Sequence, residues 1–244
     1  MSRIYYDFHI HSCLSPCGDD DNTPNSIAGM AHLCGLDAAA LTDHNTAKNC
    51  PAFFEACERY GVIPIAGMEL TTAEDIHMVC LFPALQNALE FSEYVDSQRI
   101  PIKNRTDIFG QQLICDSCDN IIGTDEHLLV TATQITVDDA PALAKSYGGI
   151  CYPAHIDRQS NGIITALGTF PKSPHFTAFE LNDSSKAQEF TARYDLGGKA
   201  MVFGSDAHNL ESICEKNAYF DIECDISDTD GVIKEIFNLL KGIG

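Results

Sequence analysis

The sequence predicts a mainly parallel α/β fold in which residues 1–244 form a single domain. Short apolar runs typical of strands alternate along the chain with stretches that have helical spacing. This alternation has the period of strand–helix–strand units, which favours a parallel sheet. The length of 244 residues suits one domain of barrel or doubly wound size, and no repeat, low-complexity tract or linker divides the chain.

Eight runs are interpreted as strands because they are short, rich in apolar residues and bounded by turn-forming residues. They cover Ile4–Ile10, Asp37–Thr42, Val62–Ala66, Ile76–Phe82, Ile150–Ala154, Phe176–Leu181, Ala200–Gly204 and Ala218–Glu223.

The stretches between these runs predict helices, and the first helix is marked most clearly. Thr23 suits an N-cap, Pro24 suits the first helical position, and Gly35 is a stop signal. Further helices are predicted at 52–60, 86–97, 138–147, 184–194 and 228–241.

Residues 98–130 interrupt the alternation. Two apolar runs, Gln112–Cys115 and Asn120–Gly123, flank the polar turn Asp116–Asp119. Two β-like runs around a short polar turn are typical of a hairpin. We therefore expect an inserted hairpin or lid near 98–130.

The composition describes a globular chain with a marked negative charge. The formal net charge is −20, which repels nucleic-acid phosphates and anionic membranes. We therefore expect no bulk nucleic-acid binding and no membrane binding, whereas several divalent cations would suit such a chain. The start, MSRIYYDFH, lacks an apolar signal core, which predicts a cytoplasmic protein. The oligomeric state stays open.

Metal-ligating residue types gather at the ends of the predicted strands. If Ile4–Ile10 is a strand, His9 and His11 share one face with Asp7, because residues i and i+2 point to the same side. Five other residues follow apolar runs directly, and His77 lies near the start of its strand. These five are His44, Glu69, His155, Asp206 and His208. Strand ends converge on one face in parallel α/β barrels, so the pattern predicts a metal site there.

Six motifs occur in a recognisable order between residues 7 and 208. They are DFHIHS at 7–12, LTDHNT at 41–46, GMEL at 67–70, IHMVCLF at 76–82, YPAHIDR at 152–158 and GSDAH at 204–208. Together they resemble the PHP domain, a family named for polymerase and histidinol phosphatase. The resemblance implies a distorted (β/α)7 TIM-like barrel and two to three divalent metal ions, Zn, Mn or Fe, at the strand ends.

The resemblance also implies the metal ligands. Carried over by motif, they are His9, His11, Asp19, His44, Glu69, His77, His155, Asp206 and His208. Asp19 comes from counting back from Thr23 and Pro24, because the loop is longer than in the family, and Asp20 competes with it. Glu69, Asp206 and His208 are implied to bridge ions and activate water, and Asp43 is expected to support the ligand shell.

The implied activity is metal-dependent hydrolysis of a phosphate ester, with a metal-bound hydroxide attacking phosphorus. The substrate would be a small phosphorylated metabolite or nucleotide. Two alternatives stay open: a metal-binding or regulatory barrel without catalysis, and a hydrolase of a non-phosphate bond. Arg158 is interpreted either as a phosphate-binding residue or as one partner of a surface salt bridge.

Several other residues are expected to have structural or solvent roles. Lys103 and Arg105 could close over a phosphate, although solvated loop charges are the commoner case. Cys13 and Cys17 flank the predicted metal loop, where packing is favoured over metal binding. The remaining histidines are assigned to structure or solvent and are His32, His127 and His175.

Overall fold

The computed structural model describes residues 1–213 and 218–243. The described strands are β1 (Ser2–Ile10), β2 (Ala38–Leu41), β3 (Ile63–Thr71), β4 (His77–Phe82), β5 (Leu113–Cys115), β6 (Ile121–Thr124), β7 (Ile150–Pro153), β8 (Ala178–Leu181), β9 (Ala200–Phe203) and β10 (Tyr219–Ile222). The described helices are α1 (Pro24–Leu33), α2 (Cys50–Tyr60), α3 (Leu85–Gln98), α4 (Thr106–Phe109), α5 (Ala140–Ser146), α6 (Ile163–Leu167), α7 (Ala187–Arg193) and α8 (Thr229–Leu240).

Helix α1 begins where the sequence predicts. The Thr23 hydroxyl accepts the backbone N–H of Ser26 at 3.2 Å, and Pro24 occupies the first helical position.

Among the described helices, none is both long enough and apolar enough to cross a membrane.

The main sheet has six strands in the order β10-β1-β2-β3-β4-β7. Strands β1, β2 and β3 are parallel, but β4 runs antiparallel to both β3 and β7, and β10 runs antiparallel to β1. The prediction of a mainly parallel sheet is therefore only partly correct. The reason is the short link between Thr71 and His77, because a parallel crossover needs a dozen or more residues and this link allows only a hairpin.

A separate parallel pair, β8 and β9, lies between β7, at one edge of the curled main sheet, and the carboxyl end of β1. On one side, the Ile156 N–H after β7 donates to the Glu180 carbonyl in β8 at 2.9 Å. On the other side, Ile10 and Ala207 form a single parallel bridge. Within the described residues these contacts do not extend into ladders, so the structure shows a curled half-barrel and does not confirm the complete (β/α)7 barrel.

Apolar side chains on the two faces of the sheet form two cores. Ile4, Tyr6 and Phe8 alternate along β1 and pack with α8 on one face, and the Tyr6 and Phe8 rings stack at 4.3 Å between centroids. Ile10 belongs to the other core, which α1, α2 and α3 cover. Since apolar side chains fill most of both faces of the sheet, the polar side chains gather towards the strand ends.

The hairpin predicted within 98–130 is present as β5 and β6. It lies against the loop that follows β1, where the Leu113 N–H donates to the Cys13 carbonyl at 2.9 Å. The Asn49 amide at the start of α2 donates to the Leu113 carbonyl at 3.1 Å. These contacts place the insertion beside the loops that carry the candidate ligands, and its role as a lid stays a prediction.

Candidate metal centre

His9 and His11 converge at the end of β1. Their Nε2 atoms lie 3.2 Å apart, and both side chains are fully buried. The pairing of β1 with β2 is irregular between Asp7 and Ile10, a type of distortion that re-aims side chains near active sites. The Asp7 carboxylate, which the sequence placed on the same face, accepts the backbone N–H groups of His9 and Ser205.

Glu69 in β3 is the centre of the cluster. Five imidazoles approach its two carboxylate oxygens at 2.9–3.4 Å. They belong to His9, His11, His44, His77 and His155. His77 reaches Glu69 because β4 runs antiparallel to β3, which brings the start of β4 to the carboxyl end of β3.

Asp206 and His208 enter from the loop after β9. The Asp206 Oδ1 atom lies 3.1 Å from Nε2 of His11 and 3.4 Å from Nε2 of His9. Arg158 forms a close ion pair with the other oxygen of Asp206. Asp206 and His155 both have positive φ angles, 52° and 25°, and such strain in residues other than glycine is concentrated at functional sites.

Two histidines are held in the tautomer that leaves Nε2 free to bind a metal. His9 Nδ1 lies 2.8 Å from the Glu180 carboxylate, which can only accept, so Nδ1 carries the proton. His11 Nδ1 lies 3.0 Å from the Ser15 hydroxyl, which donates to Asp43 at 2.7 Å and therefore accepts from His11. Such partners of ligating histidines fix the ring orientation, and Asp43 acts in this way through Ser15.

These tautomers give the inner cluster an unusual composition. The two Nε2 atoms of His9 and His11 face each other and the oxygens of Glu69 and Asp206, so all four groups are acceptors unless a proton or a cation lies between them. Among the described residues, Nδ1 of His155 is buried with no hydrogen-bond partner. A buried group of acceptors needs a cation, and imidazole with carboxylate is a donor set typical of Zn, Mn and Fe.

The pKa values of His11 and Glu69 also indicate that the buried carboxylates of the cluster need positive charge nearby. Burial lowers the pKa of His11, but hydrogen bonds and charges from Asp206 and Glu69 raise it to about 9. Burial raises the pKa of Glu69, yet the surrounding His77, His9 and His44 bring it well below its usual range. Protons on the imidazoles therefore balance the carboxylates, and bound cations would replace those protons.

Eight of the nine predicted ligands thus lie at one cluster, and the ninth does not join them. Asp19 is exposed and belongs to none of the groups of close ligand atoms among the described residues. Cys17 is found in such a group, with His11, His44 and His208. Asp20 is also exposed and lies outside these groups.

Apart from Cys17, which is exposed and is not packed with Cys13, the residues predicted to have structural or solvent roles are found in such settings. Arg105 is exposed and pairs with Asp107 at 2.6 Å, and Lys103 is also exposed. Cys13 packs in a small buried cluster with Leu113 and Cys115. The three remaining histidines are all exposed and are His32, His127 and His175.

Glu180 is the residue of this site that the sequence analysis missed. It is fully buried in β8, holds His9, and also accepts the backbone N–H of His155 at 3.1 Å. The available signal was a carboxylate inside the apolar run Phe176–Leu181. A charged side chain in a buried strand is rare unless it is paired, and it therefore marks a polar site.

Several solved structures share the fold of this chain. The structure is similar to a lesion-specific endonuclease, endonuclease Q from Pyrococcus furiosus. The match covers 100% of this chain, at 19% identity and a TM-score of 0.64. The chain covers 57% of that endonuclease. A candidate metal-dependent phosphoesterase from Bifidobacterium adolescentis matches at 18% identity and a TM-score of 0.54, over 83% of this chain and 87% of its own. The curated proteins include no significant match.

The comparison corrects the expectation about nucleic acid. The structure is also similar to a complex of endonuclease Q with a 27-mer duplex substrate that carries an abasic lesion at the active site. The match covers 100% of this chain and 57% of the endonuclease, at 18% identity and a TM-score of 0.61. The prediction of no bulk nucleic-acid binding, which was based on the net charge of −20, is therefore wrong. Net charge sums the whole surface, whereas metal ions and nearby cations set the local potential of a site.

The family assignment rests on the sequence itself. The profile of the PHP domain matches residues 7–147, which is more than half of the 244 residues. His155, Asp206 and His208 lie beyond the matched residues, and the tertiary structure brings them to the ligands inside it. Membership of this family supports the predicted enzyme class, a hydrolase of phosphoester bonds. The chain belongs to the PHP domain family.

Proposed function

We propose that this protein hydrolyses a phosphoester with the help of two to three divalent transition-metal ions. The observation that carries the proposal is the buried inner cluster, in which acceptor atoms of His9, His11, Glu69 and Asp206 face one another at 3.1–3.4 Å. The proposed ligands are these four residues together with His44, His77, His155 and His208.

The residues of the chain divide the work at this site. Glu69, which five imidazoles surround, and Asp206, which contacts His9 and His11, would supply the carboxylate ligands to the ions. Glu180 and Ser15 hold His9 and His11 in one orientation. When bound, the ions lower the pKa of water and polarise a phosphoryl oxygen. Because the ligands are buried, bulk water has little access to the metal positions where the substrate would bind.

Arg158 is the proposed phosphate-binding residue. Of the described lysine and arginine side chains, it is the one that forms an ion pair with a candidate ligand, Asp206. Its side chain is 42% exposed, so the guanidinium can meet a substrate while it borders the site. A guanidinium binds phosphate through two parallel hydrogen bonds, which an ammonium group cannot form.

The Arg158→Ala variant should keep its metal content and lose about 10–150-fold in kcat/KM, because one charge-assisted contact is removed. Arg158→Lys should recover only part of this loss. Arg193→Ala, which removes an exposed arginine paired with Glu189, is the control and should be unchanged. An unaltered kcat/KM in Arg158→Ala would remove this residue from substrate binding.

A small phosphorylated metabolite or nucleotide is the first proposed substrate class. A single arginine beside the cluster is enough to hold one phosphate group. A nucleic-acid phosphodiester is the second candidate, supported by the shared fold with an endonuclease solved with a duplex substrate. This chain spans 57% of that endonuclease, so the second candidate concerns only the part of the endonuclease fold that the two chains share.

The test compares both classes on the same preparation. Phosphate release is measured from phosphorylated metabolites and nucleotides with added Mn²⁺ or Zn²⁺, and strand cleavage is measured on a duplex with an abasic site. Turnover in either assay should vanish with a chelator and in His9→Ala. The exposed His32→Ala serves as the matched control. Turnover that survives in His9→Ala would exclude the proposed site.

A further inference from the structure

A thiol lies at the outer part of the metal centre. The Sγ atom of Cys17 and one ring nitrogen each of His11, His44 and His208 form a group whose atoms all lie within 4.8 Å of one another. A thiolate combined with imidazoles is a donor set that binds zinc strongly. We call these four residues the outer group, as distinct from the inner cluster around Glu69.

The loop after β1 fixes the place of Cys17. The Ser15 N–H donates to the Ser12 carbonyl at 3.0 Å, and the Gly18 N–H donates to the Ser15 carbonyl at 2.9 Å. A Cβ atom at Gly18 would lie 2.3 Å from the Ser12 carbonyl oxygen, so only glycine allows this turn. The Asp19 N–H donates to the His208 carbonyl at 2.9 Å, which ties the loop to the segment that carries His208.

Two imidazoles of the outer group have their Nε2 atoms available. His208 Nδ1 donates to the Asp206 carbonyl at 2.7 Å, and His11 Nδ1 donates to the Ser15 hydroxyl. His11 also belongs to the inner cluster, and one ring nitrogen binds a single ion. When His11 serves the inner cluster, the outer group keeps three protein donors only if Cys17 is one of them.

We infer that Cys17, and not Asp19, is the ninth metal ligand. The inference rests on the proposed metal-dependent function and changes the chemistry of one metal position. A thiolate favours zinc over manganese, whereas an aspartate accepts both. Cys17 is exposed at the surface, so a thiol reagent can reach this position.

The experiment uses Co²⁺ bound to the metal-free full chain, because thiolate ligation gives cobalt a charge-transfer absorption in the near ultraviolet. The wild-type protein should show this absorption, and Cys17→Ser should lose it together with about one equivalent of metal. Cys17→Asp should regain the equivalent without the absorption. Asp19→Ala should retain both, as should Cys118→Ser, which removes another exposed thiol.

A second measurement needs no variant. Mass spectrometry follows alkylation of Cys17 in the wild-type chain, which bound Zn²⁺ should slow at least tenfold, while Cys118 should react at an unchanged rate. The inference is overturned if the absorption survives in Cys17→Ser, if Asp19→Ala abolishes it, or if zinc leaves the alkylation rate of Cys17 unchanged. If the wild-type protein binds cobalt and hydrolyses a phosphoester but shows no such absorption, only the inference that Cys17 is a ligand is rejected. If the wild-type protein binds no metal, the proposed function is rejected as well.

Discussion

At the scale of single residues, the site depends on groups that orient the ligands as well as on the ligands. Glu180 contacts His9 Nδ1 with both oxygens, at 2.8 and 3.1 Å, and receives the His155 backbone N–H. One carboxylate therefore positions residues from β1 and from the loop after β7. Its negative charge also makes the His9 ring a stronger metal donor.

The Glu180→Gln variant tests this role. The amide keeps the shape of the side chain but loses the charge, so metal affinity should fall about 10–100-fold. Competition with a chelator measures the affinity. Glu189→Gln, an exposed change on α7, is the control and should leave affinity intact. Equal affinities in the two variants would show that Glu180 is only part of the core.

At the scale of elements, the β3–β4 hairpin positions Glu69 and His77 together. The two residues lie on neighbouring antiparallel strands, and their side chains meet at 2.9 Å. Gly67 allows the strands to pack closely, because a Cβ atom there would lie 2.6 Å from the Cys80 carbonyl oxygen.

Gly67→Ala should therefore destabilise the fold by about 1–3 kcal/mol, since backbone cannot yield as a flexible side chain can. The free energy of unfolding in urea measures the loss. At Gly197 an added Cβ meets nothing within 4 Å, so Gly197→Ala should change stability by less than about 0.5 kcal/mol. Equal stability of the two variants would contradict the close strand approach.

Asp125 joins the inserted hairpin to the rest of the chain. Its carboxylate pairs with Lys48 at 2.6 Å and accepts the His127 N–H at 3.0 Å. Burial raises the pKa of Asp125, but Lys48 and the His127 N–H outweigh it and bring the pKa below its usual value. The pair therefore stabilises the folded state at neutral pH.

Because the folded pKa is depressed, this contribution is full above the unfolded value of about 3.9 and is lost as the pH falls through the folded pKa. Asp125→Asn should cost about 1–3 kcal/mol at pH 7, and its difference from wild type should shrink in acid. Urea unfolding at several pH values measures this. Asp221→Asn, which breaks an exposed pair with Arg3, should cost less than Asp125→Asn, because solvent screens the pair. A difference for Asp125→Asn that does not depend on pH would rule out the charge as its cause.

At the scale of the whole molecule, the excess of negative charge is distributed unevenly. The net charge is −20, yet the centre of the site is crowded with imidazoles. Total charge therefore says little about which substrate enters, and this explains why it misled the prediction about nucleic acid. Bound cations would add positive charge where the substrate phosphate has to bind.

Because the proposed ligands come from strands and loops across the whole chain, removal of the metal should lower the stability of the entire fold. Elemental analysis of the purified protein should find two to three equivalents of transition metal. Chelation should lower the thermal midpoint, because a ligand bound only to the folded state stabilises it. Re-addition of Zn²⁺ or Mn²⁺ should restore the midpoint, as calorimetry can measure. Less than one equivalent after reconstitution would contradict a centre with several ions.

The sequence alone determined the elements and the ligand types. Apolar runs predicted the strands, Thr23 and Pro24 predicted the start of α1, and the strand-end histidines predicted the cluster. These features are local, because strand formation, capping and ligand chemistry depend on a few neighbouring residues. The order of motifs identified the family for the same reason.

The tertiary structure decided which distant groups meet. The antiparallel direction of β4 brings His77 to Glu69, and β8 brings Glu180 to His9 across 171 positions of sequence. The turn at Gly18 places Cys17 close to His11, His44 and His208, whereas the family resemblance had implied Asp19 as the ligand from this loop. Strand direction, the curl of the sheet and the path of a loop depend on packing across the whole chain, and no short stretch of sequence contains that information.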